Sequence, residues 1–424
     1  MTQGRESQSS DLIAIGLFVL LMLLGWVNIY AAEYDPDNIS SIFSLSNSSG
    51  KQLLWIGTSL LLGVFVYVLD YKFFDSFSYL IYAVVIVLLV AVLVFGKEVS
   101  GARSWFEIGA FRLQPSEFAK YATLLAVAKY LSTIKGKTLG TRDLVFSSLI
   151  FLIPMGLTIL QRDAGTALVY TSLILVLFRE GMSPMILIFL GSVILLFVLT
   201  LVLPKLALII GIVVVALLVI GLAERTPRLI GWAFIGATLA IGLVVSVDFA
   251  MNDVFQPHQR KRIMSLLNPN ADPLGVGWNV TQSKIAIGSG GFEGKGFLQG
   301  TQTKFDFVPE QTTDFIFCTV GEEHGWIGTA TIIVIFCLLF FRLINIAERQ
   351  KSDFSRIFGY GVVSVLFFHF LINISMTIGL FPVIGIPLPF FSYGGSSLIS
   401  FTLLVFLLLR LDANRYNELD SINY

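Results

Sequence analysis

Residues 184–247 read PMILIFLGSVILLFVLTLVLPKLALIIGIVVVALLVIGLAERTPRLIGWAFIGATLAIGLVVSV, apolar throughout except at Pro204-Lys205 and at Glu224-Arg225-Thr226-Pro227-Arg228. A helix needs about 20 mostly apolar residues to cross a bilayer. The stretch therefore holds three membrane helices and two polar turns. Working outward, similar runs lie near 12–32, 52–69, 76–96, 117–133, 144–160 and 164–179 on one side, and near 314–343, 354–378 and 394–411 on the other. With 183–203, 206–223 and 229–249 the expectation is about 12 spans. The count falls to ten or eleven if 164–179 pairs with a neighbour as a broken helix. The fold class expected is an all-α integral membrane protein, a polytopic helical bundle with one long outer loop, forming a single membrane domain over residues 1–424.

Composition agrees. The chain is 55% hydrophobic and 13% charged, against about 25% charged in a soluble domain. The net charge is zero, so no global field recruits nucleic acid. The first apolar run is longer than the roughly 7–15 residues of a signal-peptide core and is read as the first span. Short basic loops orient the bundle. Lys135, Lys137 and Arg142 share a side with Arg225 and Arg228, with Arg342, Arg349, Lys351 and Arg356, and with Arg410 and Arg415 of the carboxy tail. Both termini are then cytoplasmic, and the loop 250–313 faces outward.

That loop, extended to Asp253 and Asp314, carries six Lys/Arg and six Asp/Glu. It is rich in glycine (Gly288, Gly290, Gly291, Gly294, Gly296, Gly300), interleaved with Trp278, Ile285, Ile287, Phe292, Phe297 and Phe305. A flexible outer loop would explain the glycines but not the aromatics, so an ordered, substrate-handling loop is expected. Asp314 closes it, in Phe307-Val308-Pro309-Glu310-Gln311-Thr312-Thr313-Asp314-Phe315-Ile316-Phe317. A carboxylate there can be a helix cap or a base whose proton affinity is raised by partial desolvation.

Glu117 and Lys120, in Leu113-Gln114-Pro115-Ser116-Glu117-Phe118-Ala119-Lys120, enter an otherwise apolar span three residues apart, on one helical face. Ionisable groups at that depth are functional candidates, and a structural ion pair is the plainer alternative. Arg103-Ser104-Trp105 places a cation beside an interfacial aromatic, and Gln161-Arg162-Asp163-Ala164-Gly165-Thr166 suits a re-entrant break. Glu322-Glu323-His324 has no second histidine at zinc-ligand spacing, and His258 and His369 look isolated and structural. Residues 381–397, FPVIGIPLPFFSYGGSS, are too rich in Pro and Gly for a continuous helix and suit a cavity rim. No nucleotide-binding motif is present.

These motifs, in this order, resemble the SEDS family (shape, elongation, division and sporulation), and within it the RodA branch. The resemblance runs through Gly101–Trp105, Gln114–Lys120, Asp163–Thr166, Gln282–Gly291, Gly300–Gln302, Phe307–Phe317 and Gly385–Ser397. It implies a peptidoglycan glycosyltransferase of the bacterial plasma membrane. Such an enzyme polymerises lipid II at the outer face for cell elongation and shape, beside a class B penicillin-binding protein that cross-links the strands. It places the family's loop aspartate on Asp314 and its membrane Glu/Lys pair on Glu117 and Lys120. Arg103, Trp105, Arg260, Lys284, Ser289, Gly290, Lys295, Gln302, Ser392 and Ser396 become candidate substrate-binding residues. Cations, the amides of Gly288–Gly291 and a divalent ion (Mg or Mn) are candidates to stabilise the pyrophosphate leaving group. Ten spans are usual in the family, so two of the twelve are read as an inserted helix pair within 181–228. Arg162-Asp163-Ala164 also departs from the family's Pro-Asp-Leu. A flippase or transporter of lipid-linked precursors, and a non-catalytic scaffold of the wall-synthesis complex, are the competing readings.

Overall fold

A computed structural model describes residues 11–35, 41–99, 101–109, 111–134, 136, 138–222, 226–251, 260, 264, 276–305 and 307–415. The chain divides into two compact units, Met1–Gly181 with Asn279–Tyr424, and Met182–Trp278.

The first unit opens with α1 (Leu12–Ala32), α2 (Ser48–Val68) and α3 (Tyr71–Phe95). A small antiparallel sheet follows, with strands in the order β1 (Lys97–Val99), β2 (Ala102–Ile108) and β3 (Phe111–Leu113). In its second hairpin Phe106 pairs with Leu113 and Glu107 with Arg112. Glu107 also takes a hydrogen bond from Lys97, and the two cations hold its carboxyl below the usual range. The sequence signals no strand here; three residues per edge strand are too few for a period to register.

Then come α4 (Pro115–Ser132) and α5 (Thr141–Leu160). The short apolar run is a broken helix: α6 (Ala164–Val169), a 3-10 turn over Tyr170–Ser172, and α7 (Leu173–Arg179). Arg162, at φ 62°, makes the sharp entry, and Asp163 caps α6 by accepting from the Thr166 amide at 3.0 Å. Asp163 is therefore at least partly a structural cap.

The second unit holds α8 (Pro184–Val202), α9 (Lys205–Leu222) and α10 (Pro227–Phe249). The segment 181–228, read as an inserted pair, holds α8 and α9, and α10 groups with them in the same unit. Lys205 at the start of α9 pairs with Asp248 near the end of α10, at 2.7 Å. No side chain of α8 is buried. A helix apolar on every side and uncovered by protein matches a lipid solvent.

The boundary between the units passes through α11 (Val276–Ser289), and the chain ends with α12 (Ile316–Glu348), α13 (Asp353–Thr377) and α14 (Gly395–Ala413). Of the loop 250–313, residues 252–259, 261–263, 265–275 and 306 lie outside the described residues, including most of the basic cluster at 260–262. Among the described residues ten helices are long and apolar enough to cross a membrane. α4, which carries Glu117, Lys120 and Lys129, and the broken segment Ala164–Arg179 are two further helical segments, consistent with about twelve spans.

In the first unit α13 and α14 are the buried centre, with 72% and 78% of their apolar windows enclosed. α2 packs on α14, α4 on α3 and α13, and α1 on α12. Lipid supplies no hydrophobic drive between helices, so close approach over small residues has to hold such a bundle. Gly165 in α6 is one such position: a Cβ there would lie 2.3 Å from the Ile384 carbonyl oxygen. Gly165→Val should therefore cost about 1–3 kcal/mol by overpacking, read as a lowered Tm in detergent. Gly191→Val, in α8 with nothing near its Cβ, should stay within about 0.5 kcal/mol of wild type.

Candidate functional site

α4 begins on Pro115, which fits the first helical turn because it has no amide hydrogen to leave unpaired. One turn in, Glu117 and Lys120 face the centre of the first unit, exposed by only 2% and 1%. Lys120 Nζ lies 2.8 Å from Glu117 Oε2, 2.9 Å from His369 Nε2, and 4.9 Å from the centroid of the Phe401 ring. The other ring nitrogen, His369 Nδ1, is 3.3 Å from the Pro387 carbonyl oxygen. A carbonyl can only accept, so Nδ1 carries the hydrogen and Nε2 offers its lone pair to the ammonium. In the sequence His369 stands isolated, because its partner lies 249 residues away.

One turn further along α13, Asn373 is fully buried. Its Nδ2 donates to two main-chain carbonyls, Asp314 at 2.8 Å and Ile386 at 2.7 Å. The segment 381–397 is non-helical until Gly395, and its side chains knit it to the residues ahead of Asp314. Ser392 Oγ donates to the Thr313 carbonyl at 2.5 Å and accepts from the Leu388 amide at 2.9 Å. The Tyr393 amide donates to the Thr312 carbonyl at 2.9 Å. Gln311 reaches the last turn of α1, donating to the Ala32 carbonyl at 2.8 Å. Asp314 itself is half-buried. A Cβ added to Gly385, which sits at φ 72°, would come 3.4 Å from Asp314 Oδ2. The carboxylate thus lies over a turn that favours glycine. The N-cap of α12 falls on the next residue, Phe315, which packs with Ala286, Val308 and Cys318.

The sheet joins this assembly through Ser396. Its Oγ donates to the Arg112 carbonyl at 3.3 Å and accepts from the Gln114 amide at 3.2 Å. Gln114 Nε2 in turn donates to Asp163 Oδ2 at 2.8 Å. The Arg103 amide donates to the Gln161 carbonyl at 2.9 Å, leaving its side chain exposed, and Trp105 is half-buried beside it. Asp314, Glu117, Lys120, Ser392 and Ser396 are therefore brought together around α13 and the segment before α14.

A second group of candidates is drawn elsewhere. α12 breaks at Gly325 (φ 60°, ψ −154°), and the glycine-rich segment wraps the break. Glu322, fully buried, accepts from the amides of Thr301 (2.7 Å), Gln302 (2.8 Å) and Thr303 (3.0 Å), and from Lys295 Nζ (2.6 Å). Main-chain donors converging on one carboxylate form an anion nest, here filled by the protein's own side chain. Lys295 and the Gln302 amide serve this internal carboxylate. The amides expected to meet a leaving group are spent locally: Gly290 donates to the Ile287 carbonyl and Gly291 to the Gly288 carbonyl. Gly290 is needed for close approach, since a Cβ there would lie 2.0 Å from the Gly321 carbonyl oxygen. The interleaved aromatics pack on the break: Phe292 stacks on Trp326 at 5.5 Å, and Phe297 on His324 at 6.3 Å. Ser289 Oγ bonds back to the Ala286 carbonyl at 2.8 Å. Lys284 and Arg260 are exposed.

Among the described residues no group of three His, Cys, Asp or Glu side chains forms a metal cage. A groove of about 360 Å³ beside the break, lined by Leu24, Asn28, Glu293 and His324 among others, contains none of the candidate residues.

The family model described as cell cycle protein, FtsW/RodA/SpoVE, matches residues 11–206 and 179–417. The peptidoglycan glycosyltransferase RodA of Treponema pallidum is 33% identical over 96% of this chain and 98% of its own length. The peptidoglycan glycosyltransferase MrdB of Escherichia coli is 36% identical over 77% of this chain and 75% of its own. Among solved structures, a chain from work on the structural coordination of polymerization and crosslinking by a peptidoglycan synthase complex superposes with a TM-score of 0.71. It is 27% identical and covers 96% of this chain and 99% of that one. The rod shape determining protein RodA of Thermus thermophilus superposes at 0.61, with 25% identity over 96% of this chain and 98% of that one.

Removing one member of a buried ion pair strands the other charge. Lys120→Met should destabilise the protein by about 3–5 kcal/mol, and Glu117→Gln combined with Lys120→Met should recover most of that loss. Thermal unfolding of the three proteins in detergent checks it; a wild-type Tm for Lys120→Met alone would show that the pair carries no such weight.

Proposed function

The chain belongs to the FtsW/RodA/SpoVE family of cell cycle proteins, and from that premise we propose that it is a peptidoglycan glycosyltransferase. It polymerises lipid II into glycan strands at the outer face of the bacterial plasma membrane, in cell elongation. The observation that carries this reading is the setting of Asp314: a half-buried carboxylate at the membrane boundary, its main chain held by Asn373 and its neighbour Thr313 by Ser392.

Sidedness supports an outward site. Arg342 and Arg349 both pair with Asp11, at 2.8 and 3.0 Å, and Arg349 Nε donates to Asp412 at 2.7 Å. These contacts gather the start of α1 and the ends of α12 and α14 at one face. The basic residues there make it cytoplasmic by the positive-inside rule, with both termini. Asp314 precedes the opposite end of α12.

In the reaction Asp314 takes the proton from the acceptor sugar's 4-hydroxyl. The oxygen bonds to the donor's anomeric carbon as the bond from that carbon to the lipid-linked pyrophosphate breaks, with inversion. Charge grows on the pyrophosphate and needs cations beside it. Lys120 is enclosed by Glu117, His369 and Phe401, so its part is to support the site. Arg103 and Lys284 keep exposed side chains and are the better placed to meet phosphate. A divalent cation, Mg or Mn, would arrive with the substrate's pyrophosphate and supply charge neutralisation there, since Mg commonly binds through phosphates, and Asp314 is kept for the acceptor proton. The partner is a class B penicillin-binding protein, in keeping with the polymerization and crosslinking joined in the solved synthase complex.

A base is worth about 10²–10⁴-fold in rate. With labelled lipid II and a partner whose own active site is blocked, Asp314→Asn should lose that factor while inserting and folding normally. Full-rate polymer from Asp314→Asn would remove the assignment. In the same assay chelator should suppress the wild-type rate and added Mg or Mn restore it; insensitivity to chelator would dispose of the metal.

A further inference from the structure

Asn373 keeps both of its amide hydrogens on main-chain carbonyls, Asp314 at 2.8 Å and Ile386 at 2.7 Å. This fixes its orientation, since the opposite rotamer would set oxygen against oxygen. Its Oδ1 is buried without a hydrogen-bond partner among the described residues. An unpaired buried acceptor is a standing cost, and against it stand two hydrogen bonds to carbonyls that a leucine would leave without this donor. The feature that offsets the cost is the link itself. Asn373 ties the residue carrying the reactive carboxylate to the turn Ile384–Gly385–Ile386, over which that carboxylate lies. One turn away on α13, His369 ties Pro387 of the same segment to the Lys120 ammonium, and so to Glu117.

We propose that Asn373 is a positioning residue for Asp314. It holds the carboxylate at the height of the acceptor hydroxyl by clamping the Asp314 and Ile386 carbonyls together, and α13 seats that clamp on the buried Glu117–Lys120 pair. The proposal rests on Asp314 being the base. The two segments are already joined just ahead of the carboxylate, where the Thr312 and Thr313 carbonyls accept from Tyr393 and Ser392. At Asp314 itself one segment is about to enter a helix and the other is non-helical, and there the two donors of Asn373 set the distance.

The test is a double-mutant cycle in the labelled-substrate polymerisation assay, run with the full-length protein and its transpeptidase partner. Asn373→Ala should lower kcat about 10²-fold, the scale of a misplaced catalytic group, with KM for lipid II unchanged and the wild-type fraction of folded protein by size exclusion. In the Asp314→Asn background the same substitution should add less than about twofold, because no base remains to be positioned. Losses that multiply across the cycle would overturn the proposal, since a purely structural defect acts whatever stands at position 314. A rise in KM at constant kcat would also overturn it, by moving Asn373 to substrate binding. Asn373→Asp keeps the shape but replaces the donor with a carboxylate facing two carbonyls, and should fall at least as far as Asn373→Ala; wild-type kcat from it would refute the clamp. Full activity in Asp314→Asn would instead bring down the base assignment, and the proposal with it.

Discussion

An ammonium enclosed in a helical bundle cannot be left to the apolar phase. Lys120 is 1% exposed, and its three hydrogens need acceptors that the bundle must supply. Glu117 supplies one from its own helix and His369 another from α13, while the face of Phe401 on α14 takes part of the charge. Three helices are thereby held in one rotational register about a single side chain. The same demand reaches past the helices. His369 can accept from lysine only with its hydrogen on Nδ1, and that hydrogen is committed to the carbonyl of Pro387. The position of the non-helical segment before α14, and through it the setting of Asp314, depends on how this buried charge is satisfied.

A second carboxylate organises the outer loop by the same rule. Glu322 lies where the first stretch of α12 meets its break, and three successive amides with one lysine close around it. Amide donors that would otherwise be open to a phosphate hold the loop on the helix instead. Close approach accounts for particular glycines here: at Gly290 a methyl group would collide with the Gly321 carbonyl. Beside the break in α12 the loop is wound on an anion, and Lys295 and three of its amides are thereby committed.

The second unit obeys a different constraint. Its three helices are apolar around their whole circumference, and α8 has no buried side chain. They carry no candidate residue. Lys205 and Asp248 pair across their ends at 2.7 Å, where water and headgroups are near. Such helices tolerate drift in side-chain identity so long as hydropathy is kept, in contrast to α13 and α14.

The many apolar spans and the ionisable residues worth attention were legible in the linear chain, because bilayer thickness and the cost of intramembrane charge act on local composition. Glu117 and Lys120 were readable as a pair for the same reason: three residues apart on a helix is a contact in space. The break at 164–179 showed in its length and in Gln161–Thr166. What could not be read are contacts between residues distant in the chain. His369 and Asn373 look like ordinary polar residues in an apolar helix until folding sets them against Lys120 and the Asp314 carbonyl. Lys295 looks like a substrate ligand until Glu322 takes its ammonium, and the main-chain amide of Gln302 goes to the same carboxylate. By itself the sequence determined a many-span membrane bundle, its long polar loop and the carboxylate at that loop's end, since hydrophobicity and helical periodicity are local properties. Only the tertiary structure decided which polar groups serve one another and which remain for a substrate, since hydrogen-bond partners are chosen by proximity in space.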